Sequence, residues 1–118
     1  NSSFITVSKN KLTKTSNTGI LLFDNISSVS ATDNYIDGED VNNASGIRLV
    51  DNDSSFANTT FSISGNCIHN TANAMTFESN SGAVLNLPLV RNNYMYNYKF
   101  HGIWSSSFTG EIGSCNAY

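Results

Sequence analysis

The sequence predicts an all-β fold, a parallel solenoid of about four coils and part of a fifth. Two repeated landmarks and a polar but weakly charged composition predict it. We treat residues 1–118 as one solenoid segment and expect it to belong to a longer solenoid.

The first landmark is an alternating stretch that ends in asparagine. In "FSISGNCI" apolar and polar residues alternate until Asn66 stands where the next apolar residue is expected. The same frame occurs in "ITVSKNKL", "VSATDNYI" and "PLVRNNYM", and more weakly in "EIGSCNAY". Successive asparagines are 24, 32, 27 and 23 residues apart, a spacing typical of solenoid repeats. They are Asn10, Asn34, Asn66, Asn93 and Asn116.

The second landmark follows each of the first four asparagines by 8 to 12 residues. It reads "GILLF", "GIRLV", "AMTFE" and "GIWSS", a small residue followed by the period-two pattern of a strand. Strands this short cannot enclose a core alone. We therefore expect each to pair with its counterpart in the next coil, about 4.8 Å away.

Stacked coils place equivalent residues in columns. The predicted inward columns are Val7, Ala31, Ile63 and Val90; Leu12, Ile36, Ile68 and Met95; and Ile20, Ile47, Met75 and Ile103. The asparagines fall at a bend, where each amide can bond to the amides above and below it. A buried amide without partners would cost about 1–3 kcal/mol, so the repeat predicts an internal asparagine ladder.

The paired landmarks resemble the right-handed parallel β-helix repeats of the pectate-lyase-like superfamily, which includes phage tailspikes and large surface proteins. The resemblance spans nearly the whole chain and indicates no particular subfamily. It implies that the strand beginning at the second landmark belongs to the sheet that most often faces substrate.

Catalytic candidates on that strand are few. A glycoside hydrolase needs two carboxylates, and a lyase needs a base with a cation or metal. The chain offers Arg48 and Glu78 on neighbouring coils, with Asp51 nearby. We favour the simpler explanation, a surface ion pair between Arg48 and Glu78, and keep catalysis as the weaker alternative for this segment.

A cluster of aromatic residues marks the fourth coil, in "RNNYMYNYKFHGIW". Aromatic rings on a flat sheet suit the apolar faces of sugars, and nearby polar groups can add hydrogen bonds. The same rings can instead pack against neighbouring coils. The candidate glycan contacts are Tyr94, Tyr96, Trp104, Arg91 and His101.

No cofactor or metal set is predicted; Asp51 and Asp53 could hold Ca²⁺, but an ordinary turn is the favoured explanation. Cys67 and Cys115 lie about two coils apart, roughly 9–10 Å, so we expect free thiols.

The net charge of -3 and six scattered basic residues argue against a nucleic-acid partner, and no apolar run is long enough to span a bilayer.

Two functions follow as hypotheses. The first is a structural or glycan-binding segment of an extracellular protein, such as an adhesin, a surface fibre or a tailspike shaft on a cell or virion. Polysaccharide would be its partner, and coils could also stack end to end between copies. The alternative is a fragment of a polysaccharide lyase or glycoside hydrolase.

Overall fold

The computed structural model describes residues 2–23, 26–39, 41–42, 44–54, 59–82, 85–106, 108–113 and 115–117. Every strand pairing among them is parallel, and this part of the chain contains no helix. The strands are β1 (Ser2–Ser8), β2 (Lys11–Thr13), β3 (Thr18–Phe23), β4 (Ile26–Thr32), β5 (Tyr35–Asp37), β6 (Ser45–Asp51), β7 (Thr60–Ser64), β8 (Cys67–Ser79), β9 (Leu85–Arg91), β10 (Tyr94–Ser105), β11 (Phe108–Gly113) and β12 (Asn116–Ala117).

The strands form two sheets. The first sheet has the order β1-β4-β7-β9-β11. The second sheet has the order β12-β10-β8-β5-β2, and β3 and β6 extend it by pairing β3 to β6 and β6 to β8. Each repeat contributes one strand to the first sheet and one or two strands to the second, and each of these strands pairs with its counterpart in the next repeat. The fold is therefore the predicted parallel β-solenoid.

The solenoid has about three turns, slightly fewer than the four and a part predicted. Three repeats, β4–β6, β7–β8 and β9–β10, have a paired neighbour on both sides. The first and last repeats pair on one side only, so they supply edge strands to the stack.

The predicted inward columns are confirmed by the strand register. Val7 aligns with Ala31, and Ala31 aligns with Ile63. Leu12 aligns with Ile36, and the second-landmark residue Ile47 aligns with Met75. The interior members are fully buried, so one apolar core runs through the coils: Ala31, Ile36, Ile47, Ile63, Ile68, Met75, Val90 and Met95.

A left-handed residue precedes each ladder asparagine and makes the bend. Lys9, Asp33, Gly65 and Asn92 have φ between 56° and 69°. Glycine, Asp and Asn tolerate this conformation better than other residues. The backbone therefore turns in one residue, which brings the next side chain inward.

The asparagine ladder is present and is bonded in one direction. The backbone nitrogen and Nδ2 of Asn34 both donate to Oδ1 of Asn66, at 3.0 and 2.9 Å. Asn66 donates in the same way to Asn93, at 3.0 and 2.9 Å. Each Nδ2 also reaches a backbone carbonyl of the preceding coil, that of Val7 for Asn34 and that of Ala31 for Asn66. These buried amides are satisfied as predicted.

The fifth predicted member, Asn116, is not in the ladder. Tyr94 pairs with Asn116, so Asn93 aligns with Cys115. Nδ2 of Asn93 lies 3.7 Å from the sulfur of Cys115, and Asn116 is exposed. The frame prediction was wrong by one residue because "EIGSCNAY" places its only asparagine after the ladder position.

The small residue of the second landmark is required by close approach of the next coil. A Cβ on Gly19 would lie 2.8 Å from the Gly46 carbonyl oxygen and 2.8 Å from Cγ2 of Ile36. A Cβ on Gly46 would meet the Ala74 carbonyl and Cγ2 of Ile68 even more closely. The glycines thus let the coils stack directly.

The outer face of the first sheet is lined with hydroxyls. Strand alternation turns apolar residues inward and serines and threonines outward in registered columns. This face accounts for much of the polar, weakly charged composition. Its hydroxyl residues are Thr6, Ser8, Ser28, Ser30, Thr32, Thr60, Ser62 and Ser64.

Candidate functional site

The candidate site is a shallow groove on the outer face of β8 and β10. The strand register forms one column in which Leu21 aligns with Arg48, Arg48 with Thr76 and Thr76 with Trp104. Trp104 is 38% exposed. The strand pattern therefore presents an indole ring to solvent.

A β-bulge in β10 shapes one side of the groove. Tyr98 aligns with Thr71 and His101 aligns with Asn73, so two residues of β10 stand opposite one of β8. The bulge carries Phe100, which is 55% exposed. Bulges re-aim side chains in this way beside functional sites.

The groove has a volume of about 220 Å³ and is lined by both apolar and hydrogen-bonding side chains. The rings of Phe100 and Trp104 supply the apolar surface. Amide, carboxylate and imidazole groups supply the polar contacts, since the Thr76 hydroxyl is itself buried. The lining residues are Asn73, Thr76, Glu78, Phe100, His101 and Trp104.

Glu78 is held from outside the groove by Arg48. Nη2 and Nε of Arg48 both donate to Oε2 of Glu78, at 2.7 and 3.3 Å. The ion pair is partly exposed, so it contributes at most about 1 kcal/mol to stability. Its larger effect is to fix the orientation of the carboxylate through Oε2.

A second hydrogen bond orients His101. Its Nδ1 lies 3.1 Å from Oδ1 of Asn73. Because an amide oxygen only accepts, Nδ1 is the donor in this bond, and Nε2 is the ring nitrogen left for a ligand. The pair therefore offers a ligand one imidazole nitrogen and the amide donors of Asn73.

The other predicted carboxylates do not join Glu78. Asp51 is fully buried at the end of β6, whereas Asp53 is exposed. The described part of the chain contains no group of three or more His, Cys, Asp or Glu side chains placed to hold a metal ion. Among the described lining residues, Glu78 is the only carboxylate.

The predicted glycan contacts divide between separate surfaces. Trp104 and His101 line the groove. Tyr94 and Tyr96 belong to a different cluster around His69, and Arg91 lies on β9 of the first sheet. Sequence reasoning missed Asn73 altogether and did not name Thr76 or Phe100 among the candidate contacts. The sequence did carry one signal of the bulge in β10. Gly102 follows Asn93 by nine positions, whereas Ala74 follows Asn66 by only eight, so the fourth coil has one extra residue there.

The tyrosine–histidine cluster is compact. His69 is 7% exposed, its Nε2 lies 2.8 Å from the Tyr35 hydroxyl, and its ring stacks on Tyr96 at 4.6 Å. Desolvation raises the pKa of Tyr96, and nearby Cys67 and Tyr35 raise it further. Burial also raises the pKa of the Cys67 thiol. The raised pKa values keep the Tyr96 hydroxyl and the Cys67 thiol protonated at neutral pH, and the rings of His69 and Tyr96 pack against each other.

A second polar stack follows the next bend and was not predicted. Nδ2 of Asn70 donates to Oδ1 of Asp37 at 2.6 Å, and Asn97 donates to Asn70. Asn70 and Asn97 both have positive φ. Asparagine therefore makes this bend twice, and its side chains tie neighbouring coils together.

Both cysteines are free, as predicted. No helix among the described residues is long and apolar enough to cross a membrane. Compared with known proteins, the chain matches no family model, no curated protein and no solved structure. The class that the fold defines is a parallel β-solenoid with an internal asparagine ladder, and its function has to be argued from the groove.

Proposed function

We propose that this solenoid segment binds glycans through the groove on β8 and β10. The observation that carries the proposal is the pairing of two exposed aromatic rings, Phe100 and Trp104, with the polar groups of Asn73, Glu78 and His101 in one concavity.

This combination suits a sugar. The apolar face of a pyranose packs against an aromatic ring, and its hydroxyls need both donors and acceptors. The groove of about 220 Å³ is smaller than the roughly 300–1,000 Å³ pockets that enclose a drug-sized ligand. It therefore suits one part of a polymer lying across the coils.

The number of carboxylates in the groove favours binding over cleavage. A hydrolase of the common kind uses two, and the described lining residues contain one, which is already paired with Arg48. We therefore propose a binding or structural segment of an extracellular surface, adhesin, fibre or tailspike-like protein rather than a lyase or hydrolase fragment.

We further propose that the solenoid is right-handed and related to the pectate-lyase-like superfamily. Parallel strands within one sheet are joined by right-handed crossovers in about 98% of known cases. The ladder asparagines and the glycines of the second landmark support the relationship, since both repeat in register.

The test uses the single tryptophan of the chain, Trp104, as a reporter. Soluble oligosaccharides of glucose, galactose and mannose, and their uronic-acid counterparts, would be titrated while tryptophan fluorescence is recorded. We expect at least one to change the emission saturably. Calorimetry of Trp104→Ala should then show affinity reduced about tenfold or more, because the stacking surface is lost.

The control is Phe4→Ala, which removes an exposed ring on β1 of the other sheet. This variant should bind as the native chain does. If no oligosaccharide bound, or if both variants bound equally well, the groove would not be a glycan site.

A further inference from the structure

We propose that the groove selects uncharged glycans and discriminates against uronic acids, with Glu78 as the residue that determines this specificity. The inference rests on the proposed glycan binding and goes beyond it by naming the ligand class. It follows from the charges that face a bound sugar.

The carboxylate of Glu78 has one oxygen left for a ligand. Oε2 accepts both hydrogen bonds from Arg48. Oε1 has no hydrogen-bond partner among the described residues, and Glu78 lines the groove. A sugar hydroxyl can donate to this oxygen, whereas a sugar carboxylate has no proton to donate and meets a like charge.

The remaining groups are also arranged for hydroxyls. With Nδ1 donating to Asn73, His101 has Nε2 left as a second site for a sugar hydroxyl. A hydroxyl can donate to either site and accept from the Asn73 amide. An anionic sugar finds only the amide donor, so most of its desolvation cost is not recovered.

The nearby cations do not cancel the repulsion between Glu78 and an anionic sugar. Arg48 is bound to Glu78 and is not among the described residues lining the groove. Lys99 donates to Oδ1 of Asn42, and its Nζ lies 5.2 Å from the centroid of the Phe100 ring. Both cations are thus engaged by groups of the chain, whereas Oε1 of Glu78 has no such partner among the described residues, so an anion in the groove meets the carboxylate directly.

The experiment compares matched pairs of ligands by calorimetry at low salt. Each neutral oligosaccharide of glucose, galactose or mannose is paired with its counterpart oxidised to the uronic acid. We expect the native chain to bind the neutral member at least roughly fivefold more tightly, the factor for one like-charge contact at about 4 Å in water. Equal or tighter binding of uronates would overturn the inference while leaving glycan binding intact.

Two variants isolate the cause. Glu78→Gln removes the carboxylate and frees Arg48, so uronate affinity should rise roughly fivefold and the preference should disappear or reverse. Lys99→Gln is the matched control and should change the preference less than about threefold. If Glu78→Gln left the preference unchanged, Glu78 would not determine the specificity. If the native chain bound no member of any pair, the proposed function itself would fail.

Discussion

At the scale of single residues, the asparagine ladder explains how a buried amide becomes a repeat signal. Asn34 and Asn66 each make two donor bonds to the next coil and one to the preceding coil. An aspartate lacks the amide donors, and a leucine lacks every polar contact. The residue type is therefore fixed by the contacts at the bend.

The sequence predicts the ladder where the strand register and the asparagine frame coincide. Asn34, Asn66 and Asn93 are nearly completely buried, as the repeat implied. Asn116 failed because backbone pairing fixes the register, and pairing aligned Cys115 with Asn93. The single asparagine in "EIGSCNAY" cannot show whether Cys115 or Asn116 occupies the ladder position.

Replacing Cys115 by asparagine should extend the ladder by one member. Its sulfur already lies 3.7 Å from Nδ2 of Asn93 and 3.9 Å from the carbonyl oxygen of Val90. These are the partners that a ladder amide uses in the coils before it. We expect Cys115→Asn to raise the free energy of unfolding by about 1 kcal/mol, the net value of well-formed hydrogen bonds, as measured by urea denaturation.

Cys115→Ala is the matched control, because it removes the thiol without adding an amide. It should give no gain in stability. Equal stability of the alanine and asparagine variants would show that the position does not accept a ladder bond.

At the scale of strands, a small residue and the apolar residue of the next coil form a matched pair. Gly19 faces Ile36 and Gly46 faces Ile68, each through the β-branched Cγ2. In the third repeat the small residue is Ala74, and the register puts Met95, which has no branch at Cβ, at the position equivalent to Ile68. A side chain that is branched at Cβ in one coil thus limits the size of the side chain that faces it from the preceding coil.

Gly46→Ala should therefore destabilise the fold by about 1–3 kcal/mol, because the new Cβ overpacks a fully buried contact. Ile68→Met in the same chain should recover part of that loss by removing Cγ2. The double-mutant cycle, measured by urea denaturation, is expected to show a favourable coupling energy. Strict additivity of the two substitutions would show that the clash with the Ala74 carbonyl alone sets the cost.

The groove was less predictable than the strands that carry it. Alternation alone put Arg48, Glu78 and Trp104 on one outer face, and the register confirms their columns. Alternation could not assign Phe100, since the bulge in β10 breaks the period-two pattern just before it. Alternation also could not show that Tyr94 and Trp104 lie on different surfaces, because bends in the chain between them change the direction in which the side chains point.

At the scale of the whole molecule, the coils make a nearly one-dimensional stack. Each repeat bonds to the repeats before and after it, so stability is a sum of neighbouring interfaces. Interior repeats lose two interfaces when they open, and end repeats lose one. Local stability should therefore fall from the centre of the solenoid toward both ends.

Four equivalent amides report this gradient. The residue after each ladder position donates to the carbonyl of the preceding ladder asparagine, at 2.8 Å for Tyr35, Cys67 and Tyr94 and 2.9 Å for Asn116. Since the bonds are alike, differences in protection reflect position in the stack. We expect hydrogen exchange to be slowest at Cys67 and at least about tenfold faster at Asn116, with Tyr35 and Tyr94 between them.

Exchange rates would be divided by those of unstructured peptides of the same sequence, which removes the effect of residue type. Equal protection at all four amides would mean that the stack opens in a single cooperative event. In that case the ladder and the continuous apolar core would couple the coils so strongly that no end opens alone. A gradient would instead show that the groove, on the third and fourth repeats, is set in the more stable part of the solenoid, where its side chains are held in place before a ligand arrives.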